Sequence, residues 1–166
     1  MKKLLVFISI VMSLYSFAQD AEDALKQGDK LSNKEKYNEA IEKYTEAITI
    51  DKEMSNAYLQ RAYAHLRLKD YDNAIKDYSE VIKLNPENSF AYLSRGSAYN
   101  KMKKFNKALV DFDKVLEINP EDQEGYNNRG WAKKGLGDKK GACKDWKKSK
   151  KLGNREAKLI YKNNGC

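Results

Sequence analysis

Apolar residues recur along this chain at intervals of three and four, which predicts amphipathic helices over most of its length. Ala74, Ile75, Tyr78, Val81 and Ile82 form one such stripe, with polar residues between them. Asn-Pro pairs at 85–86 and 119–120 follow two of the stripes. Because proline cannot continue a helix and restrains the residue before it, each pair predicts a helix end.

The same pattern returns every 34 residues in four segments without a gap, at 21–54, 55–88, 89–122 and 123–156. Each segment has a small residue at position 8, an alanine at position 20 and an aromatic residue at position 24. These are Gly28, Ala62, Gly96 and Gly130; Ala40, Ala74, Ala108 and Ala142; and Tyr44, Tyr78, Phe112 and Trp146. Small residues let helices approach closely and aromatics fill the space between them. Each segment is therefore predicted to be two antiparallel helices with a turn near positions 14–17.

This pattern resembles the tetratricopeptide repeat (TPR) family, and segments 55–88 and 89–122 fit it best. The resemblance implies an all-α fold, a right-handed α-solenoid of four helix-turn-helix units. The first segment has Lys52 in place of proline, and the fourth has Lys139, Ser149 and Asn154 at three patterned positions. Terminal repeats are expected to deviate because one face meets water. Residues 154–163 are predicted to form a C-terminal capping helix.

Arginine at position 7 and aspartate at position 23 occur together in the last three segments and are both absent from the first. They are Arg61, Arg95 and Arg129, with Asp77, Asp111 and Asp145; the first segment has Gln27 and Lys43. We expect the two side chains to pair within or between repeats. The alternative is an arginine row that binds an anionic ligand.

In the TPR family the first helices line a concave groove, which implies a set of partner-binding positions here. The second segment supplies Asn56, Leu59, Gln60, Tyr63, Leu66 and Arg67; the third Phe90, Leu93, Ser94, Ser97, Asn100 and Lys101; the fourth Glu124, Asn127, Asn128, Trp131 and Lys134. Tyr63, Phe90 and Trp131 are aromatics that the repeat's own packing does not require, although Phe90 is equally compatible with packing against a neighbouring helix. Aromatic anchors beside amides are typical of peptide recognition. The resemblance thus predicts a protein- or peptide-binding adaptor or scaffold.

Some TPR proteins clamp the C-terminal carboxylates of heat-shock chaperones with lysine, asparagine and arginine at five positions. This sequence has Leu25, Asp29, Gln60, Phe90 and Ser94 there. We therefore expect no carboxylate clamp.

Residues 1–18 have the layout of a secretory signal peptide. Lys2 and Lys3 precede an apolar run from Leu4 to Phe17, and Ser16 and Ala18 are the small residues of a cleavage site. The alternative is a membrane anchor, but crossing a bilayer takes about 20 apolar residues. The sequence thus predicts a secreted or periplasmic protein of the cell envelope, with no transmembrane segment once the signal is cleaved.

The chain of 166 residues has a formal net charge of +8, spread unevenly. Residues 20–122 carry a net charge of −3 and residues 123–166 a net charge of +9. The basic patch consists of Lys139, Lys140, Lys144, Lys147, Lys148, Lys150 and Lys151. It suggests an alternative function, electrostatic binding of an acidic partner or an anionic envelope surface. A lysine-rich solvated face is the other interpretation, and nucleic acid is not expected outside the cytoplasm.

Candidate chemistry is sparse, so we expect neither an enzyme nor a cofactor. The single histidine, His65, occupies a helix-packing position, and no Cys/His cluster has metal-ligand spacing. Cys143 and Cys166 are the only cysteines. The predicted capping helix would bring Cys166 back towards Cys143, and a disulfide can persist in an oxidising compartment. The alternative is a small core residue and a free thiol.

Overall fold

A computed structural model describes residues 18–166 of the chain. They form α1 over residues 18–32, α2 Tyr37–Ile50, α3 Ser55–Arg67, α4 Tyr71–Leu84, α5 Ser89–Lys101, α6 Phe105–Ile118, α7 Gln123–Gly135, α8 Lys139–Lys151 and α9 Arg155–Asn163. No strand occurs in this range, so the predicted all-α class is confirmed. The chain divides into two compact units, one ending at Asp70 and the other spanning Tyr71–Cys166.

The first unit packs α1, α2 and α3 around an alanine-rich core. Ala40, Tyr44 and Ala47 of α2 are fully buried against Ala24 of α1 and Ala64 of α3. The hydroxyl of Tyr44 donates to Asp29 Oδ1 at 3.0 Å, and burial together with this carboxylate raises the pKa of Tyr44. A buried phenol thus keeps a polar partner.

The second unit repeats this packing from α4 to α9. Ala108 and Phe112 of α6 pack with Ala132 of α7, while Trp146 of α8 packs with Ile160 of α9. The unit therefore has a row of first helices, α5, α7 and α9, backed by α6 and α8.

Glycine at position 8, which three of the four repeats have, lies directly against the aromatic ring at position 24. A Cβ at Gly28 would lie 2.5 Å from the Tyr44 ring, and one at Gly130 would lie 2.5 Å from Trp146 Nε1. Real Cβ contacts are longer, so a side chain at either glycine would require the neighbouring ring to shift. This is the close approach that the sequence pattern predicts.

The helix ends follow the turn residues of the repeat. Helices α4 and α6 stop immediately before Asn85 and Asn119, whose side chains each accept the N–H of the residue two positions on. Asparagine makes this local bond readily, and the proline that follows blocks helix continuation.

The fourth repeat departs from the period at its end. Helix α8 has 13 residues where α6 has 14, and the linker to α9 is shorter than the linkers before α5 and α7. Gly153 has φ +106°, and Asn154 caps α9 by accepting the Ala157 N–H at 2.8 Å. Helix α9 therefore begins at Arg155, two residues before the 34-residue register would start another first helix.

Between residues 18 and 166, no helix is both long and apolar enough to cross a membrane. The predicted signal peptide lies almost wholly outside the described residues, since the description starts at Ala18.

Candidate functional site: a cleft along helices α5, α7 and α9

The second unit contains a cleft of about 620 Å³. Its walls come from α5, the start of α6, α7 and the first turn of α9. The lining residues are Ser97, Asn100, Lys101, Phe105, Asn128, Trp131, Lys134, Gly135 and Glu156. The cleft therefore combines two amides, two aromatic rings, two ammonium groups and one carboxylate.

Hydrogen bonds between α5 and α7 hold the amides of the cleft in place. Asn100 Nδ2 donates to the backbone carbonyl of Asn128 at 3.0 Å, and Asn128 Nδ2 lies 3.5 Å from Ser97 Oγ. The Ser97 hydroxyl in turn donates to the carbonyl of Leu93 at 2.8 Å. Side chains fixed in this way are oriented before a ligand arrives, which lowers the entropy cost of binding.

Trp131 is the aromatic side chain that stands at the mouth of the cleft. It is 37% exposed, and its ring meets the buried ring of Trp146 edge-on with centroids 5.3 Å apart. The Lys134 ammonium lies 5.0 Å from the centre of the Trp131 ring and donates to Asn164 Oδ1 at 2.6 Å. The Trp131 indole packs on a buried ring and has a cation beside it. It therefore offers a rigid apolar surface with polar groups at its edge.

Helix α9 closes one end of the cleft through polar contacts with α7. Asn127 Nδ2 donates to Glu156 Oε2 at 3.1 Å, and Asn154 Nδ2 donates to Glu124 Oε1 at 2.8 Å. Burial, and then the negative charges of Glu156 and Asp122, raise the pKa of Glu124. Two carboxylates thus lie close together where α7 meets α9.

Six of the residues expected in the groove line this cleft. They are Ser97, Asn100, Lys101, Asn128, Trp131 and Lys134. Phe90 is exposed to 54% but does not line the cleft, and Ser94 is half-buried on the same helix. Whether any of these residues binds a ligand stays a prediction.

At two expected groove positions the structure differs from the expectation. Asn127 is only 1% exposed, because Glu156 of α9 covers it, and Leu93 packs against the Ala108–Phe112 core. The family pattern places position 5 in the groove, but both side chains point into packing contacts here. Asn127 is buried in this arrangement, whereas Leu93 stays partly exposed.

The remaining expected positions lie on α3 in the first unit. They are Asn56, Leu59, Gln60, Tyr63, Leu66 and Arg67. Arg67 Nη1 donates to the Tyr63 hydroxyl at 2.8 Å, and its guanidinium lies 5.0 Å from the centre of the Tyr37 ring. The Tyr63 ring therefore has a cation beside it in the unbound protein.

Phe105, Gly135 and Glu156 line the cleft although the sequence analysis does not place them in it. The Phe105 ring lies against the backbone of Gly135, which has no side chain to keep it away. Glu156 is the second residue of α9, the same place that Phe90 and Glu124 occupy in α5 and α7. The 34-residue register would place Lys158 there instead, so the repeat pattern does not identify Glu156.

The predicted arginine–aspartate pairs form in the second unit. Arg95 makes two bonds to Asp111, of 2.9 and 2.7 Å, and Arg129 makes two bonds of 2.8 Å to Asp145. These bonds raise the pKa of both arginines. The pairs lie within a repeat, so the hypothesis of an arginine row for an anionic ligand loses its basis at these two positions.

Each of these arginines also reaches the preceding repeat. Arg95 Nη1 donates to Ser79 Oγ and Arg129 Nη1 donates to Asp113 Oδ1, and in the first unit Arg61 Nη1 donates to Thr45 Oγ1. The three acceptors occupy the same position of successive repeats. Arg95 and Arg129 therefore connect neighbouring repeats as well as the two helices of their own repeat.

The basic patch lies on α8, and all seven of its lysines are exposed. Helix α9 adds exposed Arg155, Lys158 and Lys162 next to Leu159, which is 63% exposed. The two cysteines flank this region. Cys143 of α8 and Cys166 form a disulfide with Cα atoms 5.5 Å apart.

Comparison with known proteins agrees with the helix-pair architecture. The tetratricopeptide repeat family model matches residues 55–88 and 89–122. A crystal structure of MamA is 27% identical with a TM-score of 0.78, covering 84% of this chain and 81% of that chain. The Arabidopsis OM64 TPR domain is 25% identical with a TM-score of 0.67, covering 71% of this chain and 98% of that one. No curated protein sequence matches.

The first TPR domain of Spaghetti (RPAP3), bound to the HSP90 peptide SRMEEVD, is 31% identical with a TM-score of 0.69. The alignment covers 72% of this chain and 95% of that domain. The chain belongs to the tetratricopeptide repeat family. TPR proteins are in general non-catalytic scaffolds that bind other proteins or peptides. The cleft on α5, α7 and α9 is therefore a candidate protein-interaction site.

His65, the only histidine, fits this assignment. Its Nδ1 lies 3.1 Å from Asp70 Oδ2 at the end of α3, and its side chain is 14% exposed. His65 belongs to the last turn of α3.

Proposed function

We propose that the cleft of the second unit binds an extended peptide segment of a partner protein. The observation that carries the proposal is the half-exposed Trp131 ring beside the fixed amides of Asn100 and Asn128. An extended peptide presents a side chain for an aromatic surface and backbone groups for amides. A cleft of about 620 Å³ is within the range of known ligand pockets.

The charges of the cleft favour a peptide with an acidic residue near its apolar anchor. Lys101 and Lys134 both line the cleft, while Glu156 is engaged by Asn127. The HSP90 peptide held by the RPAP3 domain is a different ligand. The five positions of the carboxylate clamp carry Leu25, Asp29, Gln60, Phe90 and Ser94 here, and none of these is cationic. We therefore expect SRMEEVD to bind weakly or not at all.

The proposal is tested by selecting peptides from a random displayed library on the purified protein and measuring their affinity by fluorescence anisotropy. Trp131→Ala is expected to weaken a selected peptide about tenfold or more, since buried aromatic anchors dominate such sites. Lys101→Glu changes an exposed side chain and is expected to weaken acidic peptides while leaving the fold intact.

Phe90→Ala is the matched control, because Phe90 is an exposed aromatic of the same unit that lies outside the cleft. The affinity of this variant for a selected peptide should stay within about twofold of the wild-type affinity. Equal losses in Trp131→Ala and Phe90→Ala, or selected peptides that bind independently of Trp131, would refute the cleft as the site.

We also propose that the protein acts in the cell envelope or outside the cell. The charged start, apolar run and small residues of the first 18 positions support export, and a disulfide suits an oxidising compartment. N-terminal sequencing of protein recovered from the producing cell tests this. The expected first residue is Gln19, and a retained Met1 would contradict cleavage.

A second candidate function is electrostatic binding through the basic patch. Its support is the exposure of all seven α8 lysines, next to the exposed Leu159 of α9. Clustered lysines attract anionic surfaces at about 1 kcal/mol each, and the attraction is screened by salt. Co-sedimentation with anionic vesicles tests it with the variant Lys144→Glu/Lys147→Glu/Lys148→Glu. Vesicle binding that changes neither with the substitutions nor with the salt concentration would exclude this function.

A further inference from the structure

Helix α9 is held to the second unit by few contacts of its own. Of its nine residues only Ala157 and Ile160 are buried. Ile160 packs with Ala142 and Trp146 of α8, and the partly buried Tyr161 packs against the same cluster. Three side-chain hydrogen bonds to α7 add to the attachment, at Asn154, Glu156 and Asn164. The Lys150 ammonium of α8 also lies 5.1 Å from the centre of the Tyr161 ring. A helix this short is unstable in water when it is detached from its neighbours.

These weak contacts are also the ones that shape the cleft. Glu156 lines the cleft, and Asn164 accepts the Lys134 ammonium that lies over the Trp131 ring. Without α9, the cleft loses an end wall and Lys134 loses its anchor. The geometry of the candidate peptide site thus depends on where α9 is held.

The disulfide closes the chain around this helix. It joins Cys143 near the start of α8 to Cys166, beyond the end of α9, across 23 positions of sequence. Both cysteine residues are partly exposed. Cys166 also packs at the edge of the Ala142–Trp146–Ile160 cluster.

We propose that the Cys143–Cys166 disulfide is a redox latch that holds α9 in place as the end wall of the cleft. When the latch is reduced, α9 detaches and the cleft opens at that end. The detachment is a property of α9 alone, whereas its effect on ligand binding rests on the proposed peptide-binding function.

The reductant is a dithiol, either a small molecule or a dithiol protein. A thiolate of the dithiol attacks one sulfur of the Cys143–Cys166 bond, forming a mixed disulfide and releasing the other cysteine as a thiol. The second thiolate of the dithiol then attacks the mixed disulfide. Two electrons and two protons pass to the cysteines, and the dithiol leaves as a disulfide.

Amide hydrogen exchange of the full chain tests the latch directly. The oxidised protein, the protein reduced by dithiothreitol and the variant Cys143→Ser/Cys166→Ser are compared. Amides of residues 155–163 should exchange on the order of 100-fold faster in the last two, the factor expected from the lost loop closure. Amides of α2, in the first unit, should change less than about twofold, because the disulfide lies wholly in the second unit.

Ile160→Ala in the oxidised protein is the companion variant. It removes the larger of the two buried α9 side chains but keeps the disulfide, so α9 should loosen less than it does on reduction. Equal protection of α9 in the oxidised and reduced proteins would overturn the proposal. So would a disulfide that excess dithiothreitol does not reduce in the folded protein.

The fluorescence of Trp131 reports whether the cleft opens when α9 detaches. The sequence has two tryptophans, and Trp146→Phe leaves Trp131 as the only one. Phe112 fills the equivalent position in the preceding repeat, so the substitution keeps an aromatic ring there. Reduction should raise the acrylamide quenching constant of Trp131, and an unchanged constant would refute opening of the cleft.

These measurements separate the latch from the proposed function. If α9 detaches on reduction but no selected peptide depends on Trp131, the peptide site is wrong and the latch stands. If peptides depend on Trp131 yet bind equally to oxidised and reduced protein with α9 protected in both, the latch is wrong and the peptide site stands.

Discussion

One backbone position of every repeat adopts the left-handed region, whatever residue occupies it. Glu35, Lys69 and Lys103 have φ values of 58°, 61° and 58°, and Gly137 has φ 86° at the same place in the fourth repeat. These residues follow the first helix of their repeat and turn the chain into the second. Side chains destabilise this conformation, so only the fourth repeat has the residue that suits it best.

We expect Lys103→Gly to raise the free energy of unfolding by about 1 kcal/mol, because it removes the clash of Cβ with the backbone at positive φ. Urea denaturation followed by circular dichroism measures the change. Gly137→Ala, at the same place in the next repeat, should lower stability by a similar amount. A loss in Lys103→Gly would show that the side chain contributes more than the strain costs.

The charge of Glu124 is expected to make the α7–α9 contact depend on pH. Its pKa is raised by burial and by the neighbouring carboxylates, so the folded state binds the proton more tightly than the unfolded chain does. The contribution of Glu124 to the free energy of unfolding therefore falls as pH rises through its pKa in the folded state, and it is recovered as pH drops. Glu124→Gln keeps the oxygen that Asn154 uses and removes the charge.

This variant should be more stable than wild type at pH 7 by about 0.5 kcal/mol or less, since the site is partly exposed and screened. The difference should vanish at a pH low enough to protonate Glu124 in both states. Thermal unfolding across pH measures it. If Glu124→Gln remains more stable than wild type in acid, the loss of the charge is not the cause.

At the scale of helices, capping residues and buried ion pairs join the elements. Asn88, Asp122 and Asp138 cap α5, α7 and α8 by accepting a backbone N–H of the first turn, at 3.0, 2.7 and 2.8 Å. Met54, which precedes α3, makes no such bond. A side chain of the capping residue therefore accepts a first-turn backbone N–H in α5, α7 and α8, but not in α3.

Asp122→Ala should lower the free energy of unfolding by about 1 kcal/mol, the usual effect of losing an N-cap. Chemical denaturation measures it. Glu121→Ala is the matched control, because Glu121 is an exposed acidic neighbour that caps nothing. Similar losses in both variants would show that charge, not the cap, is responsible.

The Arg95–Asp111 pair should respond differently to the loss of one partner and of both. Asp111 is 2% exposed, so Arg95→Met leaves a buried carboxylate unpaired and is expected to cost about 3 kcal/mol or more. Arg95→Met/Asp111→Leu should recover most of that loss. A double-mutant cycle measures the coupling, and additive effects would disprove the pairing. The exposed Lys83–Glu80 pair should show little coupling.

At the scale of the whole chain, stability is distributed between two compact units and a covalent closure at the C-terminal end. Each unit has its own buried aromatic centre, at Tyr44 in the first and at Phe112 and Trp146 in the second. The disulfide lies wholly within the second unit. Its removal should therefore destabilise the second unit more than the first.

We expect Cys143→Ser/Cys166→Ser to lower the unfolding free energy of the second unit by about 3 kcal/mol, the chain-entropy value for a loop of this length. Both tryptophans belong to that unit, so their fluorescence follows its unfolding in urea. The circular dichroism transition, which includes the first unit, should shift less. Coincident shifts of both signals would contradict the expectation.

The sequence by itself determined the helices, their pairing within repeats and the family. The 34-residue period, the Gly–aromatic pairs and the linked Arg and Asp positions are short-range patterns, whose contacts lie within one repeat or between neighbouring repeats. The tertiary structure decided what the end of the chain does. Because α8 is shortened and Asn154 caps α9, helix α9 begins two residues earlier than the repeat period would place it. This early start buries Asn127 and places Glu156 in the wall of the cleft. No periodic pattern specifies this contact, because it depends on how far one helix end lies from another.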